Sequence, residues 1–527
     1  MKVNKNTKGE KHLPMILVIL DGWGIGEANK GNAITQSKTP VINSLLERYP
    51  NTLVCAHGEC VGLSKMEDGN SEAGHLNIGA GRIVEQDAVV ITKSIEDGTF
   101  FKNPAFKEAV MNVKRNNSRL HLIGMLSNGM SAHSDPRHLM ALLKFTRSQG
   151  ISEVFLHLFT DGRDSPKYAA MKLADELENK LQKGEKVATV MGRYYGMDRK
   201  KEWVRTEMAY NALVFGEARV AEGIKDAITE AYNRGENDEY IEPYVIAESG
   251  TITPRINDRD SIIFFNLRSD RARQLAKVFV QKKFCEMNAG CFERRKILKD
   301  IVFIGMTDFG PDLDDILTAF PSMDIPDTLP MQLKDLKQLY IAETEKYAHV
   351  TYFFNGGYIG KVAGESQIMI DSPTVKFYEE TPGMSTVALA DRVIAELGAG
   401  NYDFTVLNFA APDMIGHTGN LKAAIECCEI VDKELGRVVE AYLSIGGTVL
   451  VTADHGNIEE MVNLETGEID TEHSKNPVPF IVVHNNAKEK YDLDKDGKLC
   501  DIAPTILDLL GKAKPSMMTG RSLLLKL

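Results

Sequence analysis

Asp413 and His417 stand four residues apart in APDMIGHTG, Asp454 and His455 are neighbours in TADHGN, and Asp21 follows the apolar run MILVIL. The runs FTVLNFA and GTVLVTA lead into Asp413 and Asp454 in the same way. Strands of an open α/β sheet present ligands just beyond their carboxyl ends, so these side chains are candidates for one assembled metal site. An Asp and a His four apart on a helical turn share a face, which lets one element offer two ligands to one ion. The plainer reading of that pair is a helix start carrying an N-terminal charge. Asp454 and His455 at a strand end reach one ion or two neighbouring ions, unless Asp454 merely caps a turn. His473 in TEHSKNPVPF, taken alone, reads as a solvated loop histidine. Together these residues supply carboxylate oxygen and imidazole nitrogen, a mixture that suits Mn²⁺ or Zn²⁺ better than Mg²⁺ or Ca²⁺. Two ions ~4 Å apart would clamp a phosphoryl group.

Ser71 lies in GNSEAGHLNIGAGRIV, where flanking glycines permit a tight turn and Ser-Glu-Ala reads as the first turn of a helix. Backbone N–H groups at such a start favour an anion. A serine hydroxyl becomes a good nucleophile only when a base or a metal activates it, and a neighbouring metal set would do so. The alternative is an ordinary capping serine. Arg163, Arg193, Arg199, Arg268 and Arg271 fall in the compact segments DGRD, GRYYGMDRKKEW and NLRSDRAR. Guanidinium forks match carboxylate and phosphate, so this grouping suits a small anionic substrate; a solvated charged face is the reading for any one of them singly. DLDKDGKL opens like a calcium loop, but Ala503 stands where the bidentate Glu should be, so it reads as a turn.

The elements that must hold these groups alternate between short apolar strands and amphipathic helices, the pattern of α/β architecture with parallel, helix-covered sheets. Helices are expected at 138–149, 168–184, 204–218, 385–397 and 421–445. Strands are expected at 15–20, 119–125, 154–160, 187–191, 261–266, 301–305, 350–354, 404–410, 447–453 and 478–483. Metal-type ligands fall at both chain ends while the arginine motifs fill the middle. The simplest organisation is a discontinuous domain of residues 1–87 and 320–527 with a second α/β domain, 88–319, inserted. Residues 284–299 read as a surface loop.

At 527 residues, with 43% hydrophobic and 26% charged residues, the chain can bury more than one core. A net charge of −12 argues against nucleic acid as the main partner but not against an anionic small molecule. The polar, lysine-rich start has no apolar core of a secretory signal, and no apolar run approaches the ~20 residues of a membrane span. Seven cysteines without a C-x-x-C pair read as free thiols in a reducing cytoplasm.

On these motifs, together with LDGWG at 20–24 and ETEKYAHVTYFFNGG at 343–357, the chain resembles the cofactor-independent phosphoglycerate mutases of the alkaline-phosphatase superfamily, from about Pro14 onward. The resemblance implies an alkaline-phosphatase-like domain from both chain ends and an inserted transferase-like substrate domain. It implies that Ser71 becomes phosphoserine. It implies one ion held by Asp413, His417 and His473 and another by Asp21, Ser71, Asp454 and His455, with Mn²⁺ foremost and Zn²⁺, Co²⁺ or Mg²⁺ as alternatives. His133, Arg163, Asp164, Arg193, Arg199, Arg268, Arg271 and Lys346 would contact 3- or 2-phosphoglycerate, with Asp164 the acid/base on glycerate. No 2,3-bisphosphoglycerate would be needed, and a cytoplasmic monomer without nucleic-acid or membrane partners is expected.

Departures from the family pattern are Glu67-Asp68 before GNSE, Ala73, Ser269, Ala411, and LSNGMSAHSD, with Asn128 and Asp135 in place of an Asp and a His. Two rivals remain: a metal-dependent phosphohydrolase using the same serine, which would not need the arginine-bearing insert, and a non-enzymatic binding protein, against which the intact Ser71 and metal-type set count.

Overall fold

The computed structural model describes residues 13–527 apart from 249, 314 and 323. The chain divides into two compact units: one formed by both chain ends, up to Gln86 and from Asp324 to Leu527, and one beginning at Asp87 that fills the interval between.

The unit of the chain ends is built on an eight-stranded sheet in the order Ser366–Ile370, Gln338–Glu343, Phe404–Phe409, Met15–Leu20, Thr448–Thr452, Val478–Val483, Asn51–Cys55 and Gly497–Lys498. Met15–Leu20 runs parallel to both neighbours, with Leu20 opposite Phe409 and Ile19 opposite Thr452. This register puts the residues that follow all three strands at one edge. Every residue of Met15–Leu20 and of Phe404–Phe409 is buried, which accounts for continuous apolar runs in place of alternation: helices cover both faces. The longest helix, Leu421–Ser444, buries Ala424, Cys427, Cys428, Val431, Leu435 and Val438 at helical spacing. Its Asp432 accepts the N–H groups of Val41 and Ile42, satisfying the start of the helix Pro40–Arg48 from a distant part of the chain.

The inserted unit has a nine-stranded sheet in which Leu120–Met125 lies between Ser261–Phe264 and Val154–Thr160, parallel to both. Alternate side chains serve the two faces: Leu120 and Leu122 enter one core, Ile123 and Met125 the other. From Leu120–Met125 the chain proceeds to one side of the sheet and returns on the other. The loops after this strand and after Ser261–Phe264 therefore diverge, the topological switch point at which α/β sheets bind ligands. Buried across three strands of this sheet is a polar chain: His121 Nδ1 meets His157 Nε2 at 3.0 Å, and His157 Nδ1 meets Thr189 Oγ1 at 2.9 Å. His121 Nε2 lies 3.2 Å from Asp260 Oδ2.

Three expectations are corrected. Residues 350–354 are not a strand: His349–Phe353 forms a π-helical turn. The β-branched and aromatic run VTYFF mimics strand composition, but it is wound against the helix Ser71–Ala80, where a side chain on Gly79 would collide with the Phe354 carbonyl. The strand in this region is Gln338–Glu343, just upstream. The helix expected at 168–184 is shorter, Ala170–Glu178. The cysteines are not all free: Cys55 pairs with Cys60 and Cys285 with Cys291, while Cys427, Cys428 and Cys500 are free and buried. Separations of five and six residues bring these partners together across turns, which a search for C-x-x-C does not register. The second pair staples residues 284–299, which are irregular beyond the short helix Phe284–Met287. Among the described residues, no helix is long and apolar enough to cross a membrane.

Candidate active site

The sheet of the chain-end unit delivers its polar residues to one place. Asp21 follows the strand Met15–Leu20, Asp454 and His455 follow Thr448–Thr452, and Asp413 sits in the helix Ala411–Gly416, which follows Phe404–Phe409. Gly22, at φ +72°, turns the chain away from Asp21; an added Cβ would lie 2.8 Å from the Asp413 Cα, so only glycine fits. Ser71 is the first residue of the helix Ser71–Ala80, and the capping role falls to Asn70, whose side chain accepts the Ala73 N–H. The serine is buried without serving as a cap. Its Oγ lies 2.6 Å from Lys346 Nζ, 2.9 Å from His455 Nε2 and 3.2 Å from Asp21 Oδ1.

Two sets of ligand-type atoms converge here: Asp21 with Asp454 and His455, and Asp413 with His417 and His473. In the second set, His417 Nδ1 donates to the Thr471 carbonyl (2.8 Å) and His473 Nδ1 to the Gly69 carbonyl (2.7 Å). Those bonds turn both Nε2 atoms inward, 3.0 Å apart and 3.4 and 3.3 Å from Asp413 Oδ1. Carbonyl acceptors behind ligating imidazoles are the usual way a metal site orients its histidines.

Charge balance points the same way. Asp21, Asp413 and Asp454 are all buried, and the ammonium among them is that of Lys346, 2.7 Å from Asp21 and 2.6 Å from Asp413. Burial, reinforced by Asp454, pushes the Asp21 carboxyl up to about 7. Burial also opposes charge on Asp413 and Asp454, yet their neighbours win: Lys346 chiefly holds Asp413 well below the carboxylate range, and the His455 and His75 rings with Lys346 hold Asp454 low. Burial lowers His455 to about 4, leaving its imidazole neutral and able to ligate. Three buried carboxylates against one ammonium leave the site short of positive charge, and the donor set fits divalent cations.

The arginine motifs converge separately, within the inserted unit. Asp161 and Asp164 follow the strand Val154–Thr160, and buried Arg193 bridges them, with Nη1 on Asp161 Oδ1 and, at 2.8 Å, on Asp164 Oδ2. Arg199 pairs with Asp270 (2.6 Å), and Arg163 lies 3.6 Å from Glu239. Arg268 immediately precedes the helix Ser269–Val280 without capping it through its side chain, and Arg271 follows in its first turn. Burial lowers the Arg271 pKa, and Arg193, Arg199 and Arg163 add to the effect, which marks several guanidinium groups facing one space. Burial, with Arg193 acting in the same direction, pushes His133 down to about 4, and its buried Nδ1 has no hydrogen-bond partner. Arg193 and Arg268 act on the neutral His133 ring, and with Arg163, Arg199 and Arg271 they offer a small anion with hydroxyl groups guanidinium and carboxylate partners.

All the sequence-derived ligands, Asp21, Ser71, Asp413, His417, Asp454, His455 and His473, thus share one neighbourhood, and Lys346 lies among them rather than with the arginines. The changes at Asn128 and Asp135 are taken up locally: Asn128 accepts the Met130 N–H, and Asp135 caps the helix Pro136–Ser148 and pairs with Arg137. Sequence reasoning missed the groups behind the ligands. His75 Nδ1 lies 3.2 Å from Asp454 Oδ2, and Asn408 donates to Asp21 Oδ2 (2.7 Å) and to His75 Nε2 (3.0 Å). Asn457 donates to Asp413 Oδ1 at 2.8 Å. His75, one helical turn after Ser71, and Asn408, a lone amide in an apolar strand, were the available signals.

Residues 13–514 match the Metalloenzyme superfamily. The chain is 45% identical over 517 residues to the 2,3-bisphosphoglycerate-independent phosphoglycerate mutase of Acetivibrio thermocellus, covering 97% of this chain and 99% of that one. It is 47% identical over 519 residues to the corresponding mutase 1 of Methanosarcina acetivorans, with the same coverage. The chain belongs to the 2,3-bisphosphoglycerate-independent phosphoglycerate mutases. A crystal structure of Leishmania mexicana phosphoglycerate mutase at low cobalt concentration has the same fold, with a TM-score of 0.78 at 28% identity over 99% of both chains. As a phosphoglycerate mutase of a metalloenzyme superfamily, with two convergent ligand sets, this chain is a divalent-metal-dependent enzyme acting on a small phosphorylated acid.

Proposed function

We propose that the enzyme interconverts 3- and 2-phosphoglycerate through a phosphoserine at Ser71, with two divalent ions, Mn²⁺ foremost, and without 2,3-bisphosphoglycerate. The reading rests above all on Ser71, whose buried hydroxyl lies within 3.2 Å of an ammonium, an imidazole and a carboxylate at the edge of both ligand sets. Asp413, His417 and His473 would hold one ion and Asp21, Ser71, Asp454 and His455 the other. Bound there, the ions polarise phosphoryl oxygens and favour the serine alkoxide.

The chain's own groups supply the rest. Ser71 Oγ attacks phosphorus as the bond to the 3-oxygen breaks, and Lys346 stabilises charge on Oγ and on the transferring group. Arg163, Arg193, Arg199, Arg268, Arg271 and His133, in the inserted unit, retain the glycerate. Ser71 reacts as its oxyanion; Asp164, having taken up a proton with the substrate, passes it to the departing 3-oxygen and then recovers one from the 2-hydroxyl, which attacks the phosphoserine; the P–Oγ bond breaks and the Ser71 oxyanion is restored. No proton is gained or lost over the cycle. Burial works against ionised Asp164, but hydrogen bonds from Ser131 and Arg193 hold its carboxyl below the usual range, so the proton it delivers is taken up with the substrate and released with the product. The reading also takes the enzyme as a cytoplasmic monomer, the setting that suits a glycolytic reaction of this kind.

³¹P NMR of 3-phosphoglycerate with the purified protein tests the reading. Growth of the 2-phosphoglycerate signal, abolished by chelator and restored by Mn²⁺, is expected. Release of inorganic phosphate alone would make the protein a phosphohydrolase instead.

A further inference from the structure

The loop between the strand Leu120–Met125 and the helix Pro136–Ser148 carries the hydroxyl that reaches Asp164. Ser131 is 7% exposed. Its Oγ donates to Asp164 Oδ2 at 2.7 Å and accepts the His133 N–H at 3.2 Å. Arg193 donates to the same Oδ2 at 2.8 Å. Two donors from separate segments thus land on one carboxylate oxygen. Arg193 alone is a poor anchor, because the same Nη1 also serves Asp161. The second contact, from Ser131, fixes the orientation of the group and leaves Oδ1 as the proton-carrying oxygen.

The loop holds Ser131 in place from both sides. Gly129 N–H donates to Ser127 Oγ and Met130 N–H to Asn128 Oδ1, both at 2.9 Å. Ser134 Oγ donates to the Met125 carbonyl at 2.8 Å, and Leu267 N–H to the His133 carbonyl at 2.9 Å. Ser131 also lies within LSNGMSAHSD, where this chain departs from the family pattern.

We propose that Ser131 is a positioning residue for glycerate: it fixes Asp164 and ties it to His133, so that Oδ1 meets the 2-hydroxyl in a constant geometry. The inference rests on the phosphoserine reading. While Ser71 carries the phosphoryl group, two nucleophiles compete for it. The glycerate 2-hydroxyl gives its proton to Asp164 as its oxygen bonds phosphorus and the P–Oγ bond breaks. Water attacking the same phosphorus gives its proton to solvent and yields free phosphate. A loosened Asp164 slows the first route without slowing the second, because alignment is what the intramolecular route depends on.

Wild type, Ser131→Ala and Ser131→Thr, each loaded with Mn²⁺ and given 3-phosphoglycerate, are compared by ³¹P NMR for 2-phosphoglycerate and phosphate together. Ser131→Ala is expected to lose roughly tenfold in kcat with KM within about twofold, and its ratio of phosphate to 2-phosphoglycerate to rise severalfold. Ser131→Thr, which keeps the hydroxyl, is expected to recover most of the wild-type ratio. A wild-type product ratio in Ser131→Ala overturns the proposal, whether the rate is unchanged or both products fall together as a merely structural defect would cause. A Ser131→Thr protein indistinguishable from Ser131→Ala overturns it too. Wild type that releases phosphate and forms no 2-phosphoglycerate removes the isomerase reading and this inference with it, which separates that failure from the failure of Ser131 alone.

Discussion

The Nε2 atoms of His417 and His473 face each other at 3.0 Å, each ring held by a backbone carbonyl on its far side. Two lone pairs cannot share that space with Asp413 Oδ1 unless something positive lies among them. Without an ion that something is a proton; burial disfavours it on His473, but Asp413 and the Gly69 carbonyl raise the ring's pKa above its ordinary value of 6.5. Metal and proton therefore compete. Metal affinity is expected to fall as pH drops through that raised value, with proton release on binding. Calorimetric titration in buffers of different ionisation enthalpy measures both; equal apparent enthalpies in all buffers would contradict the competition.

Ser71→Ala should abolish turnover while metal binding persists at both ligand sets, since Oγ is one donor among several. Intact-protein mass spectrometry of the quenched wild type should show one added phosphoryl group that the variant lacks. Residual turnover within about a hundredfold of wild type would rule out the covalent route.

Lys346→Met strips the ammonium from two buried carboxylates. A cost of about 3–5 kcal/mol of stability is expected in the presence of chelator, because Asp21 and Asp413 are left without their partner. Added Mn²⁺ should recover much of it. Denaturant titration with and without metal makes the comparison, and equal losses in both conditions would show that the lysine and the ions do not share a task.

How much of this was readable in the chain depends on where each polar group sits. Asp21 and Asp454 were legible because a polar residue ending an apolar run announces the edge of a parallel sheet. Asp413 and His417 were legible because spacing of four survives as one face of a helical turn. His473 made sense only in company, since nothing local distinguishes it from a solvated loop. His75 and Asn408 were opaque: a histidine inside a helix and an amide inside a strand are usually satisfied core residues, and only coordinates show both reaching Asp454 and Asp21. The run at 350–354 misled because π-helical winding leaves no compositional mark.

The His75–Asn408 pair yields a prediction of its own. His75→Ala or Asn408→Ala should weaken metal binding by about 10–100-fold while the ligands themselves stay in place. Chelator competition measures it directly. Unchanged affinity would reduce the pair to ordinary core packing.

The inserted unit should be acid-sensitive. His121, His157, His133 and His138 are all held below the ordinary value by burial, the last two at about 4. For such histidines the stabilising contribution is complete above pH 6.5. It is lost as pH falls below that value toward the folded pKa, at up to ~1.4 kcal/mol per group per pH unit. Hydrogen exchange in Leu120–Met125 and Val154–Thr160, corrected for intrinsic rates, should quicken between pH 7 and pH 5. Protection unchanged over that range would contradict the assignment.

The strand Met15–Leu20 is made before the other strands of its sheet yet lies in the middle of it, between two strands from much later in the chain. On the ribosome, at ~5–20 residues per second, it waits tens of seconds for either neighbour. The contiguous insert can close its own sheet in the meantime. For that interval MILVIL has no sheet neighbour, and an apolar β-segment without one is the kind that pairs with other chains.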